Sequence, residues 1–92
     1  MMYLRIHAEK AHPTTWDEMR EYISTPVGQY ISNEWRCGRV YAHPTVETND
    51  IYFSFIPPRK QPFGEAEQQE LCDVVAEYLT SEGYSNISVT LD

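Results

Sequence analysis

Four short stretches of this chain alternate apolar and polar residues, and that period of two limits the fold more than any other feature. Met2, Leu4, Ile6 and Ala8 alternate with Tyr3, Arg5, His7 and Glu9. Arg39-Val40-Tyr41-Ala42-His43 does the same, then Ile51 to Ile56, then Asn86 to Leu91 with Ile87, Val89 and Leu91 on one side. Successive strand side chains point to opposite faces, so each stretch predicts a strand buried on one side only. Pro44 is expected to close the second strand, and Thr48-Asn49-Asp50 offers turn chemistry before the third.

The segments between the strands change period. Thr15-Trp16-Asp17-Glu18 reads as a capping box, with Thr15 as N-cap and Glu18 three residues on. Trp16, Met19, Tyr22, Ile23, Tyr30, Ile31 and Trp35 then keep helical spacing as far as Arg36, and Gly38 ends the run. Pro26 interrupts it, lacking an amide hydrogen and crowding the preceding turn, so a helix kinked or split near Pro26 is expected. Pro57-Pro58-Arg59-Lys60-Gln61-Pro62 is a stiff connector that cannot be a central strand. A second helix from about Glu65 to Thr80 buries Leu71, Val74, Val75, Tyr78 and Leu79, with Gly83 as its C-terminal cap.

This order, β-α-β-β-α-β, predicts one α+β domain over residues 1–92. Its ferredoxin-like solution is a four-stranded antiparallel sheet with both helices on one face. The first and third strands then lie centrally, so Leu4, Ile6, Phe53 and Phe55 should be the most buried strand residues. A superfold of this kind does not fix function.

Charge gives the functional expectation. From Gln61 to Asp92 there are seven acids (Glu65, Glu67, Glu70, Asp73, Glu77, Glu82, Asp92) and no Lys or Arg, while residues 1–60 balance seven acids with seven bases. The net charge of −7 therefore belongs to the last third of the chain. Helices gain from Lys or Arg four residues after Glu and from cations at their C-terminus. The second helix has neither, so stability alone would not choose its pattern. Glu67, Glu70, Asp73 and Glu77 are accordingly expected to form a negative contact surface.

The reading that follows is a small, acidic, non-catalytic protein. It would bind and neutralise a basic, nucleic-acid-handling partner protein, in the manner of an anti-restriction, anti-CRISPR or immunity-type inhibitor. An alternative uses the other sheet face, which by alternation presents Tyr3, Arg5, His7, Arg39, Tyr41, His43, Tyr52 and Ser54. Aromatics beside basic residues on an open sheet suit stacking of nucleic-acid bases. Direct nucleic-acid contact is opposed by the net charge, and the same face could pack on a second copy as a homodimer. A second alternative is a small dimeric enzyme with His7 or His43 in a pocket between sheet and helices.

No cofactor or metal is expected. The three histidines and two cysteines show none of the usual zinc spacings, and no Gly-rich phosphate loop is present. Cys37 and Cys72 read as reduced thiols, which suits the cytoplasm. No apolar run approaches the roughly 18–20 residues of a membrane span.

Overall fold

In the computed structural model, which describes Met1 to Asp92, the alternating stretches become β1 (Met2–Glu9), β2 (Gly38–Thr45), β3 (Asp50–Ile56) and β4 (Ser85–Leu91). They make one antiparallel sheet in the order β2-β3-β1-β4. Leu4, Phe53 and Phe55 are fully buried and Ile6 is 2% exposed, so the two central strands carry the core. The edge strands bury less: Val40, Ala42, Ile87, Val89 and Leu91 are only half-covered. Helical residues Met19, Ile23, Val27, Ile31, Leu71, Val75 and Leu79 close over the same sheet face.

The bare six-element order does not hold as expected, because the first helical connection has three parts. They are α1 (Trp16–Met19), a π-helical segment (Arg20–Ser24) and α2 (Thr25–Asn33). A 3₁₀ turn, Val46–Thr48, also separates β2 from β3. The cause of the split is local. Pro26 cannot donate to the Tyr22 carbonyl four residues back, and the wider π turn absorbs its ring. The Tyr78 hydroxyl donates to that same Tyr22 carbonyl at 2.9 Å, so the break is tied to the second long helix, α3 (Glu65–Ser81).

Three smaller expectations also change. The first helical run stops at Asn33 rather than Arg36. Pro44 does not close β2 but pairs with Ile51 inside it, which an edge strand tolerates because one side needs no donor. Ser54, expected on the open face, is only 7% exposed, because its register neighbours Tyr3 and Tyr41 flank it and His43 lies 3.3 Å from its hydroxyl.

The helix ends follow the expected chemistry. The Glu18 amide donates to Thr15 Oγ1 at 3.2 Å, which is half a capping box. The Glu18 carboxylate is used elsewhere, accepting from Lys10 Nζ at 3.1 Å. Gly83, at φ 89°, lets the chain leave α3 with Tyr84 N–H donating to Leu79 O at 3.1 Å.

Candidate functional site

Three surfaces hold the residues that chemistry could use. The first is α3. Glu70, Asp73 and Glu77 are all exposed, and none forms an ion pair. Asp73 accepts a hydrogen bond from the Gln69 side chain at 2.8 Å, one helical turn away. Glu67 differs. It is half-buried, its carboxylate turned back towards Gly64 at the helix N-terminus, where the helix dipole favours it. The ridge is therefore Glu70-Asp73-Glu77, with Glu67 at its margin.

The second surface is the open sheet face. Tyr41 is 59% and Tyr52 43% exposed, and Tyr3 is close behind. Tyr52 packs with Tyr3 (ring centroids 6.2 Å apart) and stacks on His43 (4.7 Å). The basic character expected of this face is cancelled at Arg5 and His7, while Arg39, at the bulge between Gly38 and Tyr41, stays unpaired. Arg5 Nε meets Asp92 at 3.0 Å, and His7 donates to Asp50 from Nδ1 and to Glu9 from Nε2, each at 2.7 Å. Hydrogen bonds from the ring to Glu9 and to Asp50, in that order of effect, hold the His7 pKa above its ordinary value. Asp50 is lowered, by its hydrogen bond with Thr48 and then by His7. Both ring nitrogens of His7 are thus engaged, leaving none free to take a proton from a substrate. Neither His7 nor His43 lies between sheet and helices, which corrects the pocket expected for them: both are on the face the helices leave open.

The third surface was not expected from the sequence. An open groove of about 710 Å³ runs between the start of β2 and the connector after β3, with Arg36, Arg39, Arg59 and Lys60 in its walls. The chain has seven Lys and Arg in all. Arg5, Lys10 and Arg20 each meet a carboxylate, and the other four are these groove residues, which pair with none. No carboxylate lines the groove. The strand pairing of Gly38 with Ile56 brings the two basic segments together. The Gln61 amide then donates to the Trp35 carbonyl at 3.0 Å and ties the connector to the residue before Arg36. Beneath, Trp35 packs edge-on against Phe63 at 5.5 Å, and Cys37 is buried.

The groove is also where the backbone is strained. Arg36 and Arg39 adopt φ of 56° and 50°. Asn49 and Asn86 do so too, but Asn tolerates the left-handed region and Arg does not. Each such Arg costs on the order of 1 kcal/mol or more, which the packing of Cys37 and Trp35 must offset.

The cysteines are free and buried, and unbonded to one another. Burial pushes the Cys37 thiol up to about 11 and raises Cys72 as well, so neither is a ready thiolate. No three His, Cys, Asp or Glu side chains converge in a way that could hold a metal ion. No helix is long and apolar enough to cross a membrane. Compared with known families, curated proteins and solved structures, the chain matches none.

Proposed function

We propose that this protein is a small non-catalytic binder that docks its acidic α3 ridge on a basic surface of a nucleic-acid-handling partner protein and blocks it. The observation that carries the reading is that Glu70, Asp73 and Glu77 stand exposed with no cation within ion-pairing distance, although seven Lys and Arg were there to place. A helix built only for stability would gain a few tenths of a kcal/mol from each opposite charge one turn away. Fixed like charge on a rigid helix instead speeds encounter with a positive partner and disfavours wrong ones. An anti-restriction, anti-CRISPR or immunity-type inhibitor acts in this way, occupying the surface its target uses for phosphate. The two buried free thiols support action in a reducing compartment such as the cytoplasm. The central placing of β1 and β3 supports reading the scaffold as a ferredoxin-like variant whose first helix is broken in three.

The test is capture of a partner by the tagged protein at low salt, after nuclease treatment, beside the variant Glu70→Lys, Asp73→Lys, Glu77→Lys. A basic protein should be retained by the original and lost by the variant, and its nuclease or nucleic-acid-binding activity should fall on adding the original alone. Equal retention of that protein by both would reject the ridge as the contact.

A further inference from the structure

We infer that the groove walled by Arg36, Arg39, Arg59 and Lys60 is a phosphate-backbone site for single-stranded nucleic acid, distinct from the acidic ridge. Four cations drawn from two separate segments converge there with no counter-charge, and every other Lys and Arg of the chain is paired. Convergence of like charge is unfavourable unless an anion relieves it. The strained φ of Arg36 and Arg39 aims two of these side chains from backbone positions that residues of this type seldom adopt, a feature that gathers at binding sites. The Gln61–Trp35 hydrogen bond and the Trp35–Phe63 contact fix both walls before any ligand arrives. Three of the four are Arg, whose planar fork matches two phosphate oxygens at once.

The choice of nucleic acid over an acidic protein segment rests on what adjoins the groove. Tyr41 lies two residues beyond Arg39 on β2, at the far end of the bulge that starts at Gly38, and is the most exposed tyrosine of the sheet. Two residues further along β2, His43 stacks on Tyr52, which packs in turn with Tyr3. Cations that track a backbone beside aromatic faces that stack on bases suit a single strand, whose bases are free, better than a duplex. A carboxylate-rich peptide would have no use for the aromatic row. The net charge of −7 opposes approach from afar, but beyond about 8–10 Å that repulsion is screened at physiological salt. Binding is therefore expected to be weak and not sequence-specific, with Kd of roughly 1–100 µM.

The probe is a fluorescein-labelled oligothymidine of about sixteen nucleotides, followed by anisotropy at about 50 and about 200 mM KCl. Four neutralised phosphates give a log–log salt slope of about −3, hence a loss of roughly fifty-fold across that range. Arg36→Glu with Arg59→Glu should abolish binding, Tyr41→Ala should weaken it several-fold, and Arg20→Glu, on the helical connection away from the groove and the aromatic row, should leave it unchanged. Arg39→Gly adds a readout independent of folding defects. It removes a left-handed Arg and so should raise the melting temperature while lowering affinity. No binding at the lower salt would overturn the proposal, as would equal competition by polyglutamate of matched charge, or equal loss on Arg20→Glu. Because none of these variants touches α3, this outcome is independent of the capture experiment on the ridge.

Discussion

On the open sheet face Arg5 is held by Asp92 and His7 sits between Glu9 and Asp50, whereas along α3 and in the groove no charge meets its opposite. Both regions are exposed, and both are made from ordinary charged residues. What differs is pairing across the fold. The sheet face neutralises itself through the registers of β1 with β3 and β4, so its charge is spent within the molecule. The ridge and the groove keep theirs, one negative and one positive. Charge that the fold leaves unpaired is the charge that remains available to a partner.

That contrast makes substitutions at paired and unpaired sites differ in kind. The largest effect falls on a paired residue. Lys10 and Glu18 form a partly buried pair, with side chains 18% and 16% exposed, and Lys10 also lies over the Tyr84 and Tyr22 rings. Lys10→Ala strands the Glu18 carboxylate and the Tyr84 ring together, and should cost about 1–3 kcal/mol in urea unfolding. A cost near zero would mean that paired and unpaired charge are energetically alike here, and the comparison would fail.

The next effect runs through His7 and is read from pH. The folded pKa of His7 is raised, so its stabilising contribution is complete below the unfolded value of 6.5 and is lost as pH rises through the folded value. Asp50 is lowered, so its contribution is present above the unfolded value of 3.8 and is lost as pH falls through the folded one. Together they contribute most between those two unfolded values. His7→Gln should therefore lower the melting temperature most near pH 5 and progressively less above neutrality. A deficit independent of pH would show that the two carboxylates do not hold the imidazolium. Solvent keeps the size of the effect small, since all three groups are substantially exposed.

Much of this architecture was legible in the chain. The alternation marked all four strands, because only a face covered by helices needs that spacing, and the order of elements put Leu4-Ile6 and Phe53-Phe55 at the centre. Pro26 announced a break in the first helix. It did not announce a π segment, or that the Tyr22 carbonyl it frees would be taken by the Tyr78 hydroxyl from α3. The ridge was legible too, because α3 carries its own face within one element. The groove was not. Arg36 and Arg39 are separated from Arg59 and Lys60 by a whole hairpin, and only the pairing of Gly38 with Ile56 makes them neighbours. The opposite error occurred at Arg5, which alternation exposed as a free base. Its partner Asp92 is at the far end of the chain and is delivered by β4 lying beside β1. Periodicity reports which face a residue is on, and says nothing of what the neighbouring strand sets beside it.

The smallest change in stability goes with the most direct test. In Glu70→Lys, Asp73→Lys, Glu77→Lys the fold loses no ion pair and only one exposed hydrogen bond, from Gln69 to Asp73. The introduced cations repel one another as the acids did but suit the C-terminal half of the helix dipole, so stability should hold within a few tenths of a kcal/mol. Urea unfolding and partner affinity should be measured on the same preparation, at about 50 mM and about 500 mM salt. Unchanged stability with binding lost at low salt, and both proteins weak at high salt where screening is strong, is the expected result. A variant that unfolds early, or that binds as tightly as the original at both salts, would contradict the claim that unpaired charge serves contact rather than folding.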